Sequence, residues 1–355
     1  MMINKQYKEK VAEFNGESIL AFTIENSAGI KVTALNYGCT ITDIVTPDRE
    51  GNFKNIVLKY DDIKEYYENT HYLGSVVGRV AGRISGATFT LNNKEYQLVK
   101  NEKGNHLHGG VNGLSKVIWN GQFIEDSLGQ LGIQFTYTSK DGEEGYPGNV
   151  DLCVSYILTD NNELLITYQG ITDEDTLLDL TNHTYFNLSG EVENSILNHK
   201  LMINSDHFLP LMSNSLPRGT KHHVGLDDSC FDFRTEKAIE DVLVGNNKQV
   251  DLANGGIDHP FLLDRDERKV SLKDPATGRQ VEVRTDAEAA VIYTGNHLQH
   301  SFVVNGKNIK KHSGICIETQ SPPNAIHNER FTSPIVRKGE RYHSNTVFAF
   351  SVNRM

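Results

Sequence analysis

Glu318 follows Gly314-Ile315-Cys316-Ile317, a run that reads as a short buried strand, apolar on both faces. Pro322 and Pro323 come soon after, removing ladder donors and stiffening the turn. A carboxylate held between stiff backbone segments, with one face open, has the fixed position and partial desolvation that a general base needs. Taken alone, the same residue is also an ordinary Glu at a strand end, so the other polar clusters decide between the two readings. In Thr181-Asn182-His183-Thr184-Tyr185, His183 lies among groups able to orient an imidazole or bind hydroxyls. Gly78-Arg79-Val80-Ala81-Gly82-Arg83 offers Arg83 as a planar charged fork for ligand oxygens, or else a surface arginine in a turn. The motif has no Gly-Lys-Ser/Thr ending and is not a phosphate loop.

Asn105-His106-Leu107-His108-Gly109-Gly110 puts His106 and His108 on one face of any strand there, which is half a metal site. No His-Glu-x-x-His follows, and the two glycines equally permit close backbone approach to a ligand. Asp258, in Gly256-Ile257-Asp258-His259-Pro260, reads as a turn residue able to accept hydrogen bonds from vicinal hydroxyls. The set holds one Arg, several His, one Asp and one Glu, and lacks a nucleophilic Ser or Cys motif. It suits acid–base chemistry on a neutral polyhydroxylated molecule. If Glu318 and His183 meet, the carboxylate is expected to favour an imidazolium and the imidazolium an ionised Glu318.

The elements that must position these groups are strands. Leu20, Phe22 and Ile24 alternate with smaller or polar residues, and after Ser27-Ala28-Gly29 the alternation resumes at Ile30, Val32 and Ala34, giving a hairpin. Asn36 to Val45 reads as a continuing strand, halted at Pro47-Asp48-Arg49-Glu50-Gly51. Asp61 to Tyr67 has an Asp cap for a short helix. Thr88–Leu91 with Glu95–Leu98 forms a second hairpin, Leu152–Leu158 with Leu164–Tyr168 a third, and Thr346–Val352 a last strand. Long amphipathic helical patterns, linkers and fixed-period repeats are absent. The expectation is an all-β fold with few short helices, one large antiparallel β-sandwich domain over residues 1–355.

With a net charge of -11 and a pI near 5.7, nucleic acid and anionic membranes are not expected as main partners. The start has no apolar h-region, and Cys39, Cys153, Cys230 and Cys316 are far apart without a Cys-x-x-Cys pair. Free thiols in a reducing cytoplasm are expected.

Eight motifs in order resemble the aldose 1-epimerase (galactose mutarotase) family. They are Asn36-Tyr37-Gly38, the Gly78–Ile84 stretch, Leu107-His108-Gly109-Gly110, and Asp141-Gly142-Glu143-Glu144-Gly145-Tyr146-Pro147-Gly148. Thr181-Asn182-His183, Asp258-His259, Tyr293-Thr294-Gly295-Asn296 and Glu318-Thr319-Gln320 complete the set. The resemblance implies the galactose mutarotase-like supersandwich and interconversion of the α and β anomers of free aldohexoses such as galactose and glucose, with no cofactor and no metal. It implies Glu318 as general base at the C1 hydroxyl and His183 as general acid at the ring oxygen. Gly82, Arg83, His108 and Asp258 match sugar-binding positions. Gly82 and Val291 depart from the pattern, standing where many members carry Asn and Gln. Rival readings are a sugar-phosphate epimerase using Lys221, His222 or His223, a glycoside hydrolase using Asp258 with Glu318, and a non-catalytic carbohydrate binder. A monosaccharide is the expected partner, and the protein is expected as a monomer or homodimer.

Overall fold

The structure, a computed structural model, describes residues 4–264, 269–299 and 302–353. Among the described residues, alternation builds two large antiparallel sheets and a smaller third, with five two-stranded ladders beside them. Nine strands form the first, including Leu131–Ser139, Val150–Leu158, Glu163–Thr172, Arg341–Val352 and Arg279–Thr285 side by side. Six strands form the second, in the order Tyr185–Phe186, Ile315–Gln320, Ala289–Tyr293, Asp258–Leu262, His207–Phe208, His222–His223. Lys5–Phe14 through Phe53–Asn55 make a five-stranded meander. One continuous core joins all three. Phe135, Tyr156, Ile166 and Phe348 of the nine-stranded sheet pack with Phe22 and Ile44 of the meander and with Phe261, Ile292 and Ile317 of the six-stranded sheet. Burying each such side chain is worth about 1.5–3 kcal/mol, which holds the sheets face to face. Among the described residues the α-helix is Lys248–Leu252, and no helix is long and apolar enough to cross a membrane.

The three expected hairpins form, with Glu17–Glu25 against Lys31–Leu35, Thr88–Leu91 against Lys94–Gln97, and Val150–Leu158 against Glu163–Thr172. Asp62 caps a 3-10 turn at Ile63–Tyr67 by accepting from the Lys64 amide. The expected strand from Asn36 to Val45 is not continuous. Gly38 and Cys39 take positive φ, and the chain reverses before the strand Ile41–Pro47. Only a glycine fits at 38, where a Cβ would lie 2.3 Å from the Ser115 carbonyl oxygen. Asp258, expected on a turn, instead opens the Asp258–Leu262 strand, opposite Tyr293. Pairing with the Ala289–Tyr293 strand outweighs the local turn preference of Asp.

Two buried side chains tie the loops to this frame. Arg79 is 2% exposed and donates to Ser139 Oγ, the Pro147 and Lys140 carbonyls and Thr176 Oγ1. It thereby anchors the Asp141–Gly148 segment, whose Glu144 carboxylate accepts from the Val111 and Asn112 amides just beyond His108. Arg79→Ala leaves those buried acceptors unpaired, and a stability loss of about 3 kcal/mol or more is expected. Urea unfolding checks it, and a change within about 0.5 kcal/mol, the range of an ordinary surface substitution, would contradict it. Asp179 accepts the Ser321 amide on both carboxylate oxygens, while its own carbonyl accepts from Ala81. It links the loop before Gly82 to the end of the Ile315–Gln320 strand.

Candidate active site

The Ile315–Gln320 strand is buried throughout, and its period-two alternation sorts its side chains. Ile315 and Ile317 enter the core, and Thr319 bonds Thr346 of the nine-stranded sheet at 2.6 Å. Cys316, Glu318 and Gln320 take the opposite face, and Glu318 and Gln320 line a cleft of about 380 Å³. Its size falls in the range of small-molecule sites. Neighbouring strands bring the rest into register. Val291 stands opposite Glu318, Tyr185 opposite Cys316, and Asp258 opposite Tyr293. His183 sits at the break between Thr181–Asn182 and Tyr185–Phe186. Arg83 pairs with Leu107, so His108 emerges beside Gly82 and Arg83. Gly109 permits this approach, since a Cβ there would meet the Gly78 carbonyl oxygen at 1.6 Å.

All six expected residues, Gly82, Arg83, His108, His183, Asp258 and Glu318, line this one cleft, and so does Val291. His183 Nε2 lies 3.6 Å from Glu318 Oε1, and both side chains are buried. The other ring nitrogen of His183 contacts the Cys316 thiol at 3.5 Å. Tyr185, Tyr72 and His108 surround the imidazole, with ring centroids at 5.0, 5.9 and 5.3 Å. Arg83 is fixed by Glu102 at 3.1 Å. Burial alone would depress the Arg83 pKa, but Asp258 and Glu102 together hold it above the ordinary value.

The expected ion pair is corrected. Burial pushes Glu318 up to about 8, with the Asp258 charge adding to it and Arg83 opposing it. Burial likewise lowers His183 to about 4. In the free cleft at neutral pH burial therefore favours a protonated Glu318 beside a neutral His183 imidazole. The sequence expectation counted mutual attraction and omitted the cost of removing both charges from water.

The structure also separates His106 from His108. His106 bonds the Val99 carbonyl and packs on Tyr146 away from the cleft, so the shared face expected for a metal does not exist. His108 has positive φ, which turns it out of the strand. His108, His183 and Glu318 do bring one ligand atom each within 4.8 Å of one another. However, His108 Nδ1 already accepts the Gly82 amide at 3.2 Å. A neutral ring in that state carries its proton on Nε2, a donor suited to a hydroxyl or ring oxygen rather than a lone pair for a cation. Gly82 thus acts through its backbone, by setting the His108 tautomer. Tyr72, Glu102, Cys316 and Gln320 were given no individual role from sequence. Of these, Cys316 and Gln320 carry a signal, their strand-periodic spacing on either side of Glu318.

Relatives of known sequence and structure identify the family. A family model described as "Aldose 1-epimerase" matches residues 21–349. The chain is 39% identical to galactose mutarotase of Sus scrofa over 327 residues, covering 91% of this chain and 92% of that one. It is 35% identical to aldose 1-epimerase of Haemophilus influenzae, covering 95% and 97%. The solved structure of galactose 1-epimerase from Lactobacillus acidophilus superposes with a TM-score of 0.88 at 31% identity, over 98% of this chain and 99% of that one. A match of this extent, across all the strands that carry the cleft, establishes that the chain belongs to the aldose 1-epimerase family.

Proposed function

We propose that the protein interconverts the α and β anomers of free aldohexoses such as galactose and glucose, by acid–base opening and closing of the ring. The observation that carries this reading is the buried Glu318–His183 pair, 3.6 Å apart in a cleft lined with hydroxyl-binding groups. With sugar bound, the proton on Glu318 first passes to His183; Glu318 then takes the proton of the C1 hydroxyl and His183 delivers its own to the ring oxygen. The C1–ring-oxygen bond breaks, leaving an open-chain aldehyde, protonated Glu318 and neutral His183. That is the protonation state burial already favours in the free cleft, so opening moves the pair toward its preferred state. Rotation about C1–C2 presents the other carbonyl face, and closure returns each proton. Arg83, Asp258 and the His108 Nε2–H hold the hydroxyls and ring oxygen in place, with Tyr72 and Tyr185 as apolar walls. Orientation and proton transfer together supply the rate, the latter typically about 10²–10⁴-fold.

A neutral sugar fits the charge of the cleft better than a sugar phosphate. Its acids are Glu102, Asp258 and Glu318, while Arg83 and Lys103 both already engage Glu102. Lys221, His222 and His223 line no part of this cleft, and Lys221 faces a separate groove with His207 and Arg330. Four unpaired thiols fit a reducing, cytoplasmic setting.

Polarimetry of freshly dissolved α-D-galactose and α-D-glucose tests the activity, and its pH dependence tests the roles. The working state holds one proton on the pair. It gains a second as pH falls through about 4 and loses its only one as pH rises through about 8. A bell-shaped kcat/KM with limbs near these values is expected. A flat profile from pH 5 to 9 would contradict the role assignment, and no acceleration with either sugar would contradict the activity.

A further inference from the structure

We propose that Gln320 is a specificity-determining residue, whose side-chain carbonyl accepts a hydrogen bond from one hydroxyl of the bound sugar. The assignment rests on the anomer-interconversion reading above and extends it to a residue without a role there.

Gln320 closes the Ile315–Gln320 strand two residues after Glu318, on the same face, and lines the same cleft. It is 1% exposed. Its Nε2 donates to the Ser321 carbonyl at 3.2 Å, which fixes which end of the amide is which. Its Oε1 is buried and has no hydrogen-bond partner. Buried carbonyl oxygens are nearly always paired, so an unpaired one on a residue that lines a binding cleft calls for a donor, which a ligand hydroxyl or a water can supply.

Two features of the surroundings bear on this role. Gly82 has φ +71, and a Cβ there would come within 3.0 Å of Pro323 and 3.1 Å of Gln320 Nε2. Pro323 and the Gln320 carboxamide together therefore occupy the space beside Gly82 that a side chain at that position would otherwise take. Leu211, Pro217, Pro260, Val291 and Pro323, which also line the cleft, have no side-chain hydrogen-bonding group to offer. A sugar hydroxyl is the matching donor. It gives its proton to Oε1 and remains free to accept from a neighbouring donor.

The test uses kcat and KM of wild type and Gln320→Met with galactose and with its 2-, 3-, 4- and 6-deoxy derivatives. Methionine keeps the length and removes the acceptor. With galactose, kcat/KM is expected to fall roughly tenfold, mostly through KM, since the contact is made before and during ring opening. With one of the four deoxy sugars, the variant and wild type are expected to match, because the hydroxyl that Gln320 reads is already missing. Gln320→Leu runs in parallel, so that a folding failure of one variant leaves the other to decide. A penalty equal across all five sugars would reduce Gln320 to a structural residue and overturn the assignment, as would no penalty with any. Wild type inert toward every sugar would instead overturn the activity itself, and this assignment with it.

Discussion

Glu318→Gln lowers kcat for anomer interconversion by roughly 10³–10⁴-fold while leaving sugar affinity within a few-fold of wild type. Glutamine matches glutamate in shape and retains a carbonyl to accept the C1 hydroxyl, but it cannot take that proton. The loss therefore falls in kcat. A second signature follows from the protonation state. Because burial already favours uncharged Glu318 at neutral pH, replacing it by a neutral amide leaves Tm unchanged or raised. Residual activity in the variant also loses the alkaline limb near pH 8, since the group that titrates there is gone. Stopped or continuous polarimetry with isothermal titration of the sugar separates these terms. A variant that loses affinity as much as turnover would mark Glu318 as a binding group only.

His183→Asn is the second large effect, expected at about 10²–10⁴-fold in kcat. Asparagine can still donate to the ring oxygen, but it has no proton to release and recover. Here the acid limb near pH 4 disappears. The informative comparison is the double variant. Glu318 and His183 pass one proton through a single cycle, so removing both is expected to cost little more than removing the worse alone. Losses that multiply would mean two independent contributions rather than one relay, and polarimetry of the four proteins under one set of conditions decides between them.

Much of the site was readable from the chain because its carriers are local. Glu318 sits in an apolar run closed by two prolines, and strand period alone places Gln320 on its face. His183 stands in a dense polar cluster, and the strand alternation that sets the fold requires no long-range information. What the sequence left out is set through space. Asp258 looks like a turn residue until the neighbouring Ala289–Tyr293 strand claims it. The chain reversal at Gly38 depends on the Ser115 backbone, far along the chain. The His108 tautomer depends on a backbone amide 26 residues away, and no pattern of residue types announces it. The protonation of the Glu318–His183 pair was misjudged for the same reason. Charge complementarity is visible in residue names, whereas the depth of burial that overrides it appears only when the sheets close. Cys316 reads from the chain only as a free thiol, yet it lies against the His183 ring.

The most direct test of the central claim follows wild-type enzyme with α-D-galactose carrying ¹⁸O at the C1 hydroxyl, recording optical rotation and label together. Ring opening between C1 and the ring oxygen never breaks the C1–O1 bond. Rotation is therefore predicted to reach its equilibrium value many times faster than in the enzyme-free control, with the label still on C1 when it does. Rotation that decays no faster than the control, or label lost to water in step with it, would contradict an acid–base ring opening carried by Glu318 and His183.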